Sequence, residues 1–348
     1  MNILQVKTIK QFSNSLRIRE SFVEAMNSHK YIVIDNNELN DVRTSNIGIV
    51  IEKFYIPKKN RTLGFRVIHK ADSHELENCL KILSKILSEI YQPLDCVHGF
   101  VNKKNIRTNA FVHLAKNIVL SIDIQDFFDT IKQSQVIEGL IRLGVDEQVA
   151  SWISNITCIN GYLVQGFSTS PVLANIVASD MDLEILKNID IDTNYSRYAD
   201  DLYFSSNKNI SNVETIIKII NKYGFELNNQ KTQLMRRGQK QYVTGLSVFD
   251  KSSPRIPRQV KRNLRLEIHY ITKFGYEEHV IKKLKIKKQT LGDLETKILI
   301  MAEVQKTRDR IYGWLHFINS IEPIFAQKSL RNLKENQFKI SVDKLRSY

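Results

Sequence analysis

Tyr195-Ser196-Arg197-Tyr198-Ala199-Asp200-Asp201-Leu202-Tyr203-Phe204 reads as strand, tight turn, strand, with two adjacent carboxylates at the turn. Neighbouring anions repel and are costly to desolvate, so a fold keeps them beside a core only if something positive sits there. Asp is also an ordinary turn residue, and an exposed turn would need no cation. The aromatic and apolar flanks favour the buried alternative.

Upstream, Ile118-Val119-Leu120-Ser121-Ile122 is a short apolar run rich in β-branched residues, which predicts a buried strand ending at Asp123. A carboxylate at that tip can share a cation with Asp200 and Asp201. Metal-assisted phosphoryl transfer needs such a set, with two Mg²⁺ about 3.5–4 Å apart between attacking and leaving oxygens. Taken alone, Asp123 could be a helix N-cap, and Asp126 is assigned that capping role. A third stretch, Gln165-Gly166-Phe167-Ser168-Thr169-Ser170-Pro171, feeds a helical pattern with proline in its first turn. It is either a plain Ser-Pro cap or a backbone cradle for a nucleotide.

The rest of the chain predicts an α+β body followed by helices. Residues 4–28 read as helix. Phe54–Ile56 and Phe65–Ile68 read as strands joined by a turn over Lys59–Gly64. Leu76, Leu80, Leu83, Leu87 and Ile90 predict an amphipathic helix over 73–91, closed by Pro93. Helices are expected near 133–157, 170–187 and 211–223, with strands near 231–236 and 240–248. Asp250–Pro257 is the best linker, and every strong pattern after it is helical.

The 348 residues carry a net charge of +14. Residues 251–348 hold 22 Lys and Arg against 10 Asp and Glu, a net +12. Such a basic module suits a phosphate backbone, although the run Lys282–Lys288 alone would pass for a solvated helix face. No signal peptide or membrane-length apolar run is visible, so no membrane partner is expected. Cys79, Cys96 and Cys158 are too scattered for a disulfide framework or metal cluster, and read as reduced thiols in a cytoplasmic protein.

The order Asp-x-x-x-x-Phe, Gln-Gly-x-x-x-Ser-Pro, Tyr-x-Asp-Asp resembles the palm of reverse transcriptases. That resemblance implies a right-hand polymerase fold with fingers, palm and an all-helical basic thumb. It divides the chain into a helical extension over 1–50, fingers and palm over 51–250 and a thumb over 251–348. It makes Asp123, Asp200 and Asp201 the ligands of two Mg²⁺ ions, with Asp201 the less direct one. Phe128 becomes the gate against a ribose 2′-hydroxyl. Gln165 and Gly166 position template and incoming nucleotide. Lys231 matches the lysine after the palm helix, and Arg66 with Lys58 or Lys59 matches the residues that grip the triphosphate of a dNTP.

Asn109-Ala110-Phe111-Val112-His113, Val97–Phe100, Val243-Thr244-Gly245 and Gly313–Ile318 resemble segments of bacterial retron reverse transcriptases. By that resemblance Asn109, His113, Val243, Thr244 and Gly245 contact a cognate non-coding RNA. From the residues alone, His113 reads as structural. The retron resemblance implies priming from an RNA 2′-hydroxyl, a branched RNA–DNA product (msDNA) and a separate effector protein in antiphage defence. Two departures weaken the subgroup: Asp129-Thr130 follow Phe128 where the family more often has proline, and Ser247–Asp250 lack a common asparagine. Another reverse transcriptase class, or an idle RNA-binding scaffold, are the alternatives.

Overall fold

The computed structural model describes residues 2–35, 49–58 and 64–346, which fall into two compact units, 1–239 and 240–348. The expected turn at 59–63, and with it Lys59, lies outside the described residues.

After a 3₁₀ turn (Ile3–Gln5), the first unit runs through α1 (Ile9–Leu16), α2 (Glu20–Asn27) and β1 (Ile32–Asp35). The expected helix over 4–28 is thus two helices, because Arg17 adopts a left-handed conformation and caps α1. Nor is this segment a purely helical extension. β1 pairs in parallel with β2 (Val50–Pro57), and β2 pairs antiparallel with β3 (Phe65–Ala71). Phe12, Leu16, Phe22, Val23 and Met26 are buried in the main hydrophobic core. Phe12→Ala should therefore destabilise the whole first unit by about 3–5 kcal/mol, measured by denaturant unfolding.

α3 (His74–Ile90) buries Leu76, Leu80, Leu83 and Leu87, and Ser73 caps it by accepting from the Leu76 N–H at 3.3 Å. After α4 (Ile106–Phe111) comes β4 (Ile118–Asp123), almost wholly buried, and then α5 (Phe127–Thr130). The helix expected over 133–157 is broken into α6 (Gln133–Arg142) and α7 (Glu147–Thr157). Apolar periodicity runs through the break, but Gly144 takes φ +88° there and Asp146 starts α7 by accepting from the Gln148 N–H. A small hairpin follows, β5 (Cys158–Ile159) and β6 (Tyr162–Leu163).

α8 (Ser170–Asn188), the hairpin β7 (Asn194–Tyr198) and β8 (Asp201–Ser206), α9 (Val213–Lys222) and β9 (Gln233–Arg236) complete the unit. The sheet order is β7-β8-β4-β9, antiparallel throughout, so β4 lies between β8 and β9. One core joins Leu120 and Ile122 of β4, Leu173, Ile176 and Met181 of α8, and Ile216 and Ile220 of α9. α8 is buried on most of its surface, which explains why its apolar pattern lacks a clear stripe.

The second unit starts with the hairpin β10 (Tyr242–Val243) and β11 (Leu246–Ser247), turned by Thr244 and Gly245, both at positive φ. It continues with α10 (Arg258–Phe274), α11 (Tyr276–Leu284), α12 (Leu294–Asn319) and α13 (Pro323–Arg346). Leu264, Ile268, Val280, Ile311, Leu315 and Leu333 are buried in it. Lys261 Nζ donates to both carboxylate oxygens of Glu322 at 2.9 and 2.7 Å, which ties α10 to the start of α13. An α+β body with a helical basic module is thus observed. The packing boundary falls at 239/240, ahead of the expected linker, because the β10–β11 hairpin belongs with the helices.

Candidate active site

The β7–β8 hairpin pairs Tyr198 with Asp201, leaving Ala199 and Asp200 as a two-residue loop. Tight antiparallel loops of this kind need positive φ, and Ala199 supplies it at +57°. Left-handed backbone costs a non-glycine residue about 1–2 kcal/mol, so neighbours must hold it. The segment 96–99 does so. His98 N–H donates to the Arg197 carbonyl at 2.8 Å, and Arg197 N–H donates to the Cys96 carbonyl at 2.8 Å. Gly99 lies against the loop so closely that a Cβ there would stand 2.4 Å from the Ala199 nitrogen.

The register of β4 against β8 places Asp123 directly opposite Asp201. Ile124 N–H donates to the Asp200 carbonyl at 2.9 Å, so the loop is also fastened beyond the strand end. The Asp123 carbonyl accepts from the Asn228 N–H at 2.8 Å. That contact brings the turn 227–231 to the same corner, and Lys231 Nζ donates to both Asp123 oxygens at 3.0 and 2.9 Å. Three stretches far apart in sequence thus converge, bringing Asp123, the pair Asp200 and Asp201, and Lys231 together.

Burial and charge repulsion both act on the acids. Burial, reinforced by Asp200 and Asp123, pushes the Asp201 carboxyl up to about 7, against the pull of Lys231. Burial and Asp123 also raise Asp200, opposed by its backbone hydrogen bond, Lys231 and Arg66. A divalent cation would relieve both. Among the described residues no group of three or more His, Cys, Asp or Glu side chains is arranged so that it could hold a metal ion as it stands. Mg²⁺ takes one or two carboxylates and leaves the remaining positions to water and substrate phosphates. Hard oxygen donors that repel one another fit the ion chemically.

A carboxyl raised on folding contributes stability below its ordinary pKa and loses it as pH rises through the folded value. Metal-free protein should therefore weaken between about pH 4 and 7, and Asp201→Asn should remove that loss. At pH 8 the gain should be on the order of 1 kcal/mol, about 2–4 °C in Tm, and Mg²⁺ should cancel the difference. Calorimetry of both proteins at pH 5 and 8, with and without Mg²⁺, checks this.

The remaining site residues divide. Arg66 is exposed on β3, and its charge reaches Asp200. Lys58 donates to Asp126 at 3.3 Å. Asp126 stands at the N-cap position of α5 but makes no capping hydrogen bond, because its own backbone is left-handed. The capping role is therefore wrong, and the carboxylate answers Lys58 instead. Phe128 is half-buried, its ring 6.2 Å from Phe100 and 5.5 Å from Phe127. The Gln165 carbonyl accepts from the His69 N–H at 2.8 Å. Gly166, at φ +114°, lies where a Cβ would stand 2.3 Å from the His69 carbonyl oxygen. The Gln-Gly pair thus seats its loop on β3.

Asn109 and His113 do not reach an RNA surface. Both are 0% exposed. His113 Nδ1 contacts Ser205 Oγ and Nε2 contacts Ser196 Oγ, each at 2.7 Å, and Asn109 Oδ1 accepts from Ser196 Oγ at 2.6 Å. They bind α4 to the back of the carboxylate hairpin. Burial pushes the His113 imidazole down to about 3, so it stays neutral. In the second unit Val243 is buried, Thr244 half-buried and Gly245 exposed. Gly99 and Arg197 escaped the sequence reading as site residues. A charged residue in the strand leading to the carboxylate turn was the available signal for Arg197.

A sequence family described as reverse transcriptase (RNA-dependent DNA polymerase) matches residues 56–287. The chain is 30% identical over 239 residues to the retron Mx65 reverse transcriptase of Myxococcus xanthus, covering 62% of this chain and 55% of that one. It is 32% identical over 177 residues to the retron Ec86 reverse transcriptase of Escherichia coli, covering 50% and 55%. Against the retron Ec83 reverse transcriptase of Escherichia coli it is 26% identical over 304 residues, covering 82% and 88%. The chain thus spans about half the length of the first two of these relatives. Among the described residues no helix is long and apolar enough to cross a membrane.

Proposed function

Since the chain belongs to the reverse transcriptase (RNA-dependent DNA polymerase) family, we propose that it is an RNA-directed DNA polymerase of the retron type. The observation that carries this reading is the pairing of Asp123 with Asp201 across β4 and β8, with Asp200 fastened beside them. In this reading Asp123, Asp200 and Asp201 hold two Mg²⁺, which lower the pKa of the primer hydroxyl and neutralise the triphosphate.

The chain's own side chains do the rest. Asp123 and Asp200 fix the corner where the hydroxyl meets the α-phosphate of a dNTP. Lys231 donates to both oxygens of Asp123 and supplies positive charge beside it. Arg66 and Lys58 bind the phosphates from β3 and the end of β2. Phe128, backed by Phe100 and Phe127, closes the sugar side against a 2′-hydroxyl. Gln165 and Gly166 carry the loop that steadies template and base. The basic helices of residues 251–348 grip the template–primer duplex by its phosphates, as suits A-form geometry.

The finer proposal is that the template is one structured non-coding RNA, primed from a guanosine 2′-hydroxyl to give msDNA, in antiphage defence with a separate effector protein. The relatives named above support the retron assignment. Thr244 and Gly245, at the tip of the β10–β11 hairpin, are the RNA-contacting residues of this reading. The three cysteines are buried free thiols, which supports a cytoplasmic site of action. Sequencing the nucleic acid that co-purifies with the protein tests the proposal. One RNA species joined covalently to DNA is expected. A heterogeneous RNA mixture without attached DNA would overturn the retron assignment.

A further inference from the structure

Beneath the carboxylate loop lies a fully buried ion pair that the reaction chemistry does not use. Arg197 and Asp182 are both 0% exposed. Arg197 Nε donates to Asp182 Oδ1 at 2.9 Å and Nη2 to Oδ2 at 2.7 Å, a two-pronged fork. Tyr195 Oη donates to the same carboxylate at 2.6 Å. The other arm of the guanidinium turns toward the loop. Nη1 donates to Asn175 Oδ1 at 3.0 Å and to the Ala199 carbonyl at 3.3 Å. Asn175 Nδ2 in turn donates to the Gly99 carbonyl at 2.9 Å. The guanidinium also stands 5.9 Å from the ring of Phe127, on the segment that follows Asp123.

A buried ion pair is a poor way to gain stability, since apolar residues of equal volume often do as well. It is a good way to fix geometry, because a rigid planar fork has one orientation that satisfies all its partners. Here the partners are Asp182 and Asn175 of α8 and the carbonyl of Ala199, whose left-handed backbone needs holding.

We propose that Asp182, Arg197 and Asn175 form a buried positioning device that holds the Ala199 carbonyl and thereby fixes the Asp200 and Asp201 carboxylates opposite Asp123. Asp182 orients the guanidinium from α8. Arg197 transmits that orientation to the loop, and Asn175 couples it to Gly99. The inference rests on the polymerase reading for its rate consequence, but its cation-binding consequence does not depend on it.

The test compares wild type with the triple variant Asp182→Leu/Tyr195→Phe/Arg197→Met, which removes the pair while keeping volume, and with Arg197→Lys, which keeps the charge and loses the fork. Circular dichroism and thermal melting establish folding. Mn²⁺ affinity by titration calorimetry is the first readout, and primer extension the second. In folded triple variant, Mn²⁺ should bind several-fold more weakly, and kcat should fall about 10- to 100-fold, since misplacement near 1 Å costs that much. The KM for dNTP should stay within about threefold, because Arg66 and Lys58, which bind the phosphates in this reading, are untouched. Arg197→Lys should move the same quantities in the same direction. Unchanged Mn²⁺ affinity in either folded variant would overturn the inference. Failure of both variants to fold would do so too, making the pair a folding element. If wild type bound Mn²⁺ yet extended no primer, the polymerase reading would fail while the calorimetric comparison still decided this one.

Discussion

Asp200→Ala/Asp201→Ala protein is expected to incorporate no measurable dNTP on a primed RNA with Mg²⁺, a loss of more than about 10³-fold, because electrostatic stabilisation of the reacting phosphate is the largest single contribution such sites make. The expectation follows from the charge balance of the corner. Asp201 and Asp200 are both raised by burial and by neighbouring carboxylates, so the fold tolerates them at a cost. The double variant should therefore be no less stable than wild type without metal, and should lose the stabilisation that Mg²⁺ confers. Equal incorporation by the two proteins would remove the catalytic assignment.

Gly99→Ala is expected to lower activity as well, by a smaller factor, although residue 99 carries no functional group. The new Cβ would stand 2.4 Å from the Ala199 nitrogen and 3.0 Å from the Tyr198 carbonyl carbon, both backbone atoms. Neither can swing aside as a flexible side chain would, so the loop or the segment 96–99 must move. Overpacking of this kind costs about 1–3 kcal/mol. A shift of the loop by a sizeable fraction of an ångström displaces Asp200 and should lower kcat about 10²-fold. Extension assays beside thermal melts check both parts. A variant with wild-type kcat would mean that the loop does not depend on this contact.

The site was legible in the sequence to the degree that its chemistry is written in residue types at strand ends. Asp123 after Ile118–Ile122 and the Asp pair between aromatic flanks were readable because buried strands and tight turns have strong local signatures. The pairing of Asp123 with Asp201 was not readable, since register is a property of the assembled sheet. Lys231 was placed by resemblance, and only the 227–231 turn against the end of β4 explains its contact with Asp123.

Backbone-driven features were missed for the same reason. Gly144 splits a helix whose apolar pattern is continuous, and Arg17 ends another without glycine or proline to announce it. The burial of Asn109 and His113 runs against the RNA-facing role that the retron resemblance gave them. Two polar residues one helical turn apart look equally suited to a ligand and to serines on neighbouring strands. Ser196 and Ser205 decide between these, and they lie more than eighty residues away in the chain.

The central claim is that Asp123, Asp200 and Asp201 share divalent cations during DNA synthesis on RNA. Anomalous diffraction from crystals holding a primed RNA template, an incoming non-hydrolysable dNTP and Mn²⁺ measures this directly. Two Mn²⁺ peaks about 3.5–4 Å apart, bounded by oxygens of Asp123 and Asp200, are predicted. Cations bound to the triphosphate alone, with Asp123 still held by Lys231, would contradict it.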